Sequence, residues 1–327
     1  MEKLEKINNS IAIVGSTASG KSALALMAAK KIGGEIISVD SMQVYKTMDI
    51  GTAKPTREEM DDVPHHMIDV CDPFLPFSAA DFAPMALECA RDIASRGKTP
   101  IFCGGTGLYL DCVMRGGAPA ETAADEKIRA ELLAFAEENG AHALHERLSE
   151  VDAESAEAIH ENNVKRVARA LEIYLVSGRK KSDWDRESLD IPKAIEPVVV
   201  GLAYHNREIL YKRIDDRVDV MIKNGLLDET AALKSMGVFE KNSTAAAAIG
   251  YKEMLPYING EMSLDEAAEQ LKTATRRYAK RQMTWFAGKP YVKKLYCDTE
   301  EGEMLDIGSI YAEFEKIIGE ENAKQPK

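Results

Sequence analysis

The sequence predicts an α/β fold in which helices cover a parallel sheet and a helical domain is inserted into the chain. Short apolar runs alternate with helix-compatible segments through the first 120 residues, which is typical of a parallel sheet with helices on both faces. Ala, Glu and Leu then recur at helical spacing over 122–178 without a convincing strand, which indicates a helical insertion. We expect four parts: 1–119 and 191–318 as the two parts of the core, 120–190 as the insertion and 319–327 as a frayed tail.

Apolar, β-branched runs predict five strands, at 11–14, 35–40, 66–70, 99–103 and 198–202. The clearest predicted helices are 23–31, 83–95 with Ser78 as its cap, 208–223 and 264–286. Ligands of parallel sheets bind at the carboxyl ends of the strands. The residues that end these strands are therefore expected to converge on one crevice: Gly15 onward, Asp40, Asp69 and Gly104 to Thr106.

An octapeptide, GSTASGKS, follows the first strand and fits the P-loop pattern G-x-x-x-x-G-K-[ST]. Its residues are Gly15, Ser16, Thr17, Ala18, Ser19, Gly20, Lys21 and Ser22. A loop between a strand and a helix turns backbone N–H groups and a helix N-terminus toward a polyphosphate. Lys21 would neutralise phosphate charge and the Ser22 hydroxyl would hold Mg²⁺. The alternative, a glycine-rich turn that binds nothing, is disfavoured by the flanking strand and helix. Alone, the loop predicts nucleotide binding, with ATP as the default.

The composition is that of an ordinary globular protein, with 327 residues and a formal net charge of −12. Five cysteines form no C-x-x-C pair, so neither a disulfide framework nor a zinc site is expected. No apolar stretch reaches transmembrane length, and the first residues lack a signal-peptide core. We expect a cytoplasmic monomer without a membrane partner.

Basic residues are segregated despite the acidic total. No Asp or Glu occurs between Gln270 and Cys297, where eight Lys and Arg residues lie. Residues 275–286 of this acid-free segment combine cations with aromatic rings, a combination that is typical of RNA-binding surfaces. A second basic group comprises Lys165, Arg166, Arg169 and Arg179 to Lys181. The alternative to a nucleic-acid-binding surface is that these residues form a solvated helix face.

Three further positions are candidates for chemistry. Asp40 ends a predicted strand beside the phosphate loop, which suits a general base or an indirect Mg²⁺ ligand; otherwise it caps the next segment. The turn at Gly104 to Thr106 permits close approach of a ligand, and Thr106 could donate its hydroxyl. Arg213 and Arg217 share one helix face, and the sequence alone favours surface pairing with Asp215, Asp216 or Asp219.

Seven segments, taken in order, resemble the bacterial tRNA dimethylallyltransferase (tRNA isopentenyltransferase) family. They are GSTASGKS at 15–22, ISVDSMQVYKTMDIGTAKP at 37–55, HHMID at 65–69, GGTGLYL at 104–110, RVARALEIY at 166–174, IGYKE at 249–253 and TRRYAKRQMTWF at 275–286. The likeness spans roughly residues 11–286, and the second and last segments are specific to this family.

The resemblance implies a prenyltransferase that moves a dimethylallyl group from its diphosphate to the exocyclic amine of the adenine 3′ of the anticodon, releasing pyrophosphate. The phosphate loop would then hold the diphosphate of the prenyl donor. Asp40 would be the base. The leaving group would be held by Thr17, Lys21, Ser22 with Mg²⁺, Thr106 and Arg217, with Arg213 nearby. A flipped-out adenine would meet Asp40 to Gln43.

The resemblance also implies contacts to the tRNA anticodon stem-loop, on which the helical insertion would close. The residues expected to make them are Asp40, Ser41, Met42, Gln43, Arg129, Lys165, Arg166, Arg169, Gly250, Tyr251, Lys252, Arg277, Lys280, Arg281, Gln282 and Trp285. Two rival classes are an adenylate isopentenyltransferase and a small-molecule P-loop kinase. A GTPase is disfavoured because no N-K-x-D motif is present.

Overall fold

The computed structural model describes residues 9–117, 125–190 and 193–324. The chain divides into two compact units. The first consists of the residues up to 116 and from 194 onward, and the second of residues 117–193.

The first unit is built on a six-stranded sheet in which every strand pair is parallel. The strands are β1 Ile11–Val14, β2 Gly34–Val39, β3 His65–His66, β4 Thr99–Gly104, β5 Val198–Ala203 and β6 Val292–Tyr296. Their order across the sheet is β3-β2-β4-β1-β5-β6. The predicted parallel α/β fold is confirmed. Of the predicted strand at 66–70 only His66 lies in a strand, the two-residue β3, and β6, at the edge of the sheet, was not predicted.

Helices make up most of the remaining regular structure. They are α1 Lys21–Ile32, α2 Arg57–Asp62, α3 Ala79–Ser95, α4 Gly107–Arg115, α5 Glu126–Val151, α6 Ala153–Ala158, α7 Val164–Ser177, α8 Lys181–Asp190, α9 Arg207–Lys223, α10 Leu226–Ser235, α11 Val238–Lys241, α12 Ser243–Ala246, α13 Tyr251–Ile258, α14 Leu264–Ala287 and α15 Ile307–Lys324. Ser78 and Asp81 form the predicted capping box of α3. Gly33, in the left-handed conformation at φ 68°, ends α1.

The core of the first unit lies between the sheet and the helices packed on it. On one face Ile13 and Val200 pack with Leu24 of α1 and Phe314 of α15. Because Phe314, Ile310 and Tyr311 are buried there, α15 is anchored and continues to Lys324. Residues 319–324 of the predicted frayed tail form the last turns of α15, and residues 325–327 lie outside the described part of the chain.

All the regular structure of the second unit is helical in its described residues, 117, 125–190 and 193. Leu144 and Leu148 of α5 pack with Val167 and Leu171 of α7 in its core. In the part of the chain that the structure describes, no helix is both long and apolar enough to cross a bilayer.

Candidate active site

A cavity of about 320 Å³ opens at the carboxyl edge of the sheet. Thr17, Lys21 and Ser22 of the phosphate loop line it, together with Asp40 and Arg217. The convergence predicted from the strand ends is thus observed for the loop, Asp40 and Gly104. Asp69 was also expected there, but its carboxylate pairs with Lys54 Nζ at 2.6 Å. It fixes the segment after β2 and does not line the cavity.

The phosphate loop is held by bonds from several parts of the first unit. Lys21 Nζ donates to the carbonyl of Ser16 at 3.2 Å, and the Tyr204 hydroxyl donates to that of Ser19 at 2.9 Å. Gly20 adopts φ 95° at the start of α1, a conformation that favours glycine. These contacts fix the shape of the loop, and the N-terminus of α1 faces the cavity with its partial positive charge.

Two cations of this site are partly buried. Burial lowers the pKa of Lys21, and the neighbouring Arg217 lowers it further, while Asp40 opposes the shift. Burial also lowers the pKa of Arg217, against the attraction of Asp40. Neither cation forms an ion pair within 4.0 Å among the described residues. Two partly desolvated cations beside a helix N-terminus favour binding of a polyvalent anion.

The aspartates of α9 do not neutralise its two candidate arginines. Asp215 pairs with Arg276 at 2.7 Å, and Asp219 pairs with Lys272 at 2.7 Å. Arg213 instead donates through Nε to the carbonyl of Ala18 at 2.9 Å. The interpretation of Arg213 and Arg217 as surface partners of these aspartates is therefore wrong, because α14 supplies the competing cations.

Asp40 is oriented by the turn that follows it. Its Oδ1 accepts the N–H groups of Met42 at 2.8 Å and of Gln43 at 3.3 Å. No hydrogen bond to its other oxygen is present within the described residues. The predicted capping interaction is thus real, and it leaves one carboxylate oxygen available for chemistry in the cavity.

Thr106 supports the same turn. Its Oγ1 accepts the N–H of Ser41 at 3.2 Å. Burial raises the pKa of the adjacent Tyr278 to about 12, and the charge of Asp40 adds to the shift. Tyr278 therefore lines the cavity as a neutral hydroxyl at physiological pH.

Gln43 is committed to the protein itself. Its amide Nε2 donates to the carbonyls of Thr52 and Ala53 at 3.2 and 3.1 Å. Its Oε1 accepts the hydroxyl of Ser38 at 2.8 Å. Because every polar atom of the amide is used, Gln43 shapes the cavity wall, and the expected contact of its amide with an adenine would require these bonds to break.

A carboxylate that was not predicted from the sequence stabilises residues 49–51, of which Gly51 lines the cavity. Glu229 of α10 accepts the N–H groups of Asp49, Ile50 and Gly51 at 2.8–3.0 Å and the Tyr251 hydroxyl at 2.7 Å. Tyr251 was expected to touch tRNA, but its side chain is fully buried. It packs against Gly51, where a Cβ would meet the ring at 2.6 Å.

The glycines at 104–107 serve internal packing. A Cβ on Gly104 would meet the Val39 carbonyl at 2.0 Å, and one on Gly107 would meet the Trp285 ring at 2.2 Å. At Gly105 it would meet the Gln282 amide at 2.1 Å. Only Gly104 lines the cavity, so the close approach predicted for a ligand is made instead by the protein's own strand β2 and helix α14.

Helix α14 carries an exposed cationic surface made of Arg277, Lys280 and Arg281. None of the three forms an ion pair with a described residue, and Arg281 lies over the Tyr278 ring at 5.5 Å. Trp285 is 40% exposed beside them. Lys252 is also exposed, and Gly250 lines the cavity. Gln282, another expected tRNA contact, is buried and bonded within the protein.

In the second unit, the two predicted arginines have a structural role. Glu172 is fully buried and pairs with Arg129 at 3.0 Å and with Arg169 at 2.9 Å. A buried carboxylate requires such partners. The Arg129 pair joins α5 to α7, and the Arg169 pair lies within α7. Lys165 and Arg166 are exposed.

The side-chain oxygens of this cavity suit a metal ion that is bound mainly through the phosphates of a substrate. The described residues contain no group of three or more His, Cys, Asp or Glu side chains that could hold a metal ion. The hydroxyl of Ser22 and the carboxylate of Asp40 nevertheless line one cavity. Mg²⁺ binds through few protein oxygens and completes its shell with phosphates and water, so these residues fit that ion.

These features define an α/β protein of the P-loop class, whose phosphate loop opens into a cavity that also holds a carboxylate. The family model described as IPP transferase matches residues 43–289, and the one described as isopentenyl transferase matches residues 8–70. The chain belongs to the IPP transferase family, as the resemblance of its motifs predicted.

Relatives extend over most of the chain. A tRNA dimethylallyltransferase of Thermoanaerobacter sp. (strain X514) is 46% identical over 289 residues, covering 88% of this chain and 91% of that protein. The structure of a full-length tRNA isopentenylpyrophosphate transferase from Bacillus halodurans is similar with a TM-score of 0.67 and 42% identity, covering 98% and 99% of the two chains. That of a eukaryotic dimethylallyltransferase acting on tRNA is similar with a TM-score of 0.71 and 32% identity, covering 89% of this chain and 74% of that one.

Proposed function

We propose that this chain transfers a dimethylallyl group from dimethylallyl diphosphate to the exocyclic amine of the adenine 3′ of the anticodon in tRNA, releasing pyrophosphate. The observation that carries the proposal is the shared cavity of Asp40, Lys21 and Arg217. It combines a carboxylate that can accept a proton with cations that can stabilise a departing diphosphate. The names of the relatives support tRNA as the acceptor.

The leaving group is stabilised by charge at the phosphate loop. As the allylic C–O bond breaks, its electron pair leaves with the diphosphate. Lys21, Arg217 and the N-terminus of α1 oppose this developing negative charge from fixed positions, so no reorganisation is needed as the bond breaks. Mg²⁺ held by Ser22 would add further positive charge on the diphosphate.

The acceptor amine must lose a proton as its bond to carbon forms. The lone pair of the adenine amine is delocalised into the ring, so positioning and proton removal are both needed. The free oxygen of Asp40 accepts this proton, while Oδ1 remains fixed by Met42 and Gln43. The products are the N-prenylated adenine, pyrophosphate and a protonated Asp40.

A stacked adenine cannot reach a cavity at the edge of a sheet, so the base is flipped out of the anticodon loop. The exposed cations Arg277, Lys280 and Arg281 contact phosphates along the stem-loop, and Trp285 offers a partly exposed ring for stacking. Lys165 and Arg166 of the second unit provide further exposed charge.

The test is incubation of the chain with labelled dimethylallyl diphosphate and tRNA, followed by mapping of the modified nucleoside. Label on the adenine 3′ of the anticodon, with equimolar pyrophosphate and no requirement for ATP, is expected. Comparable rates with AMP would assign the chain to the adenylate isopentenyltransferases. Formation of ADP from ATP without prenyl transfer would assign it to the kinases.

A further inference from the structure

The cavity has a phosphate end and a distal end, and α9 runs from one to the other. At the phosphate end, Arg213 bonds to the Ala18 carbonyl and Ile214 packs against Ala18. Arg217 and then Val218 and Met221 line the cavity further along α9. Because α-helices rise about 1.5 Å per residue, Met221 lies roughly 6 Å beyond Arg217 along the helix axis.

Helix α14 packs against α9, runs antiparallel to it and lines the neighbouring wall of the cavity. The ion pairs Arg276–Asp215 and Lys272–Asp219 fix this register, since a step of four residues forward on α9 matches a step of four backward on α14. Leu271 therefore stands at the level of Met221. Both side chains line the cavity.

The distal end offers almost no hydrogen-bonding side chains. Val218 and Leu271 are buried, and Ala247, Ala248 and Ile249 complete the wall. Thr275, one turn of α14 nearer the phosphate end, also lines the cavity, but its hydroxyl donates to the Leu271 carbonyl at 2.7 Å. Such a surface accepts a hydrocarbon chain and disfavours a purine, whose ring nitrogens would lose hydrogen bonds to water.

The rise of about 6 Å between Arg217 and Met221 along α9 is longer than one isoprene unit and shorter than two. With bond lengths of about 1.5 Å, an extended dimethylallyl group spans roughly 4 Å and a geranyl group roughly 9 Å. A dimethylallyl group whose diphosphate is bound beside Arg217 therefore ends before Met221. A geranyl group bound in the same way reaches Met221.

We propose that Met221 and Leu271 close the distal end of the cavity and restrict the allylic donor to a single isoprene unit. This inference rests on the proposed function and adds a specificity determinant to it. Shortening either side chain opens space for a longer prenyl chain, while the phosphate end stays unchanged.

The experiment compares dimethylallyl and geranyl diphosphate as donors to an anticodon stem-loop, with the product identified by mass. Met221→Ala and Leu271→Ala are measured beside Met236→Ala, which alters an exposed methionine outside the cavity. Both cavity variants are expected to raise the ratio of kcat/KM for geranyl to that for dimethylallyl diphosphate by about ten-fold or more. Met236→Ala is expected to leave it unchanged. The milder Met221→Val and Leu271→Val replace any alanine variant that loses its cooperative thermal transition.

The outcomes separate the inference from the function on which it rests. An unchanged donor ratio in folded variants that still use dimethylallyl diphosphate overturns the inference alone. A higher KM for the stem-loop at an unchanged ratio also overturns it, because the distal end then receives RNA. If the unaltered protein transfers no prenyl group from either donor, the proposed function itself fails before any variant is compared.

Discussion

The N–H of Thr17 donates to Oε1 of Gln282 at 2.8 Å, joining two residues 265 positions apart in the chain. The amide Nε2 of the same glutamine donates to the Gly105 carbonyl at 3.0 Å. One buried side chain of α14 thus ties the phosphate loop to the turn after β4. This connection couples the helix that carries the exposed cations to the loop that faces the diphosphate.

Gln282→Ala is expected to loosen the phosphate loop. The variant leaves the Thr17 N–H and the Gly105 carbonyl without partners, which costs about 1–3 kcal/mol for each buried group that water cannot reach. We expect a lower thermal midpoint and a higher KM for dimethylallyl diphosphate. Gln270→Ala, on an exposed site of the same helix, is the matched control. Equal effects of the two variants would show that the connection has no role in donor binding.

The sequence predicted those parts of the site that depend on neighbouring residues. It did not predict the contacts between residues that are far apart in the chain. The phosphate loop and its flanks are contiguous, so their form followed from spacing. Strand β6 was missed because Lys293 and Lys294 interrupt its apolar character, which an edge strand tolerates. The functions of Gln282 and Glu229 depend on contacts across the fold, and no periodicity in the sequence encodes them.

Asp40→Asn is expected to lower turnover by roughly 100- to 10,000-fold, because the amide cannot accept the proton of the amine. Asparagine keeps an oxygen that can accept the N–H of Met42, so the turn should remain intact. The affinity for tRNA, measured by filter binding, is the internal control and should not change. A loss of affinity as large as the loss of rate would remove the base from the mechanism.

The exposed cations of α14 should govern the salt dependence of tRNA binding. Replacement of Arg277 and Arg281 by alanine is expected to flatten the plot of log Kd against log salt by roughly 0.7 for each lost phosphate contact. Arg91→Ala removes an exposed cation of α3 and should leave the slope unchanged. Equal slopes for the double variant and the unaltered chain would mean that these arginines face solvent and do not contact the phosphates of tRNA.

Glu229→Gln is expected to destabilise the wall formed by Asp49 to Gly51. Its amide nitrogen would face backbone N–H donors, which replaces attraction with repulsion at one of the two oxygens. We expect a loss of about 2 kcal/mol in the free energy of unfolding and a higher KM for the stem-loop. Tyr251→Phe, which removes only the hydroxyl donor, should cost about 1 kcal/mol. Glu240→Ala, an exposed carboxylate on α11, is the control in urea unfolding.

Glu35 should make the stability of the chain sensitive to acid. Its carboxylate is 1% exposed, and its bonds to Arg96, Lys98 and His66 hold its pKa far below the ordinary value of 4.5, with the Arg96 bonds as the largest cause. A depressed pKa contributes stability that is fully present above the unfolded value and is lost as the pH falls below it.

Glu35→Gln is therefore expected to lower the free energy of unfolding by about 2 kcal/mol at neutral pH, the loss typical of hydrogen bonds to a charged group. The difference from the unaltered chain should shrink as the pH falls below about 4.5, because Glu35 then binds a proton in the unfolded chain while it stays ionised in the native protein. Urea unfolding at neutral pH and at about pH 3.5 measures both values, with the exposed Glu88→Gln on α3 as the control. A difference that stays constant with pH would mean that packing, and not the charge of Glu35, supplies its contribution.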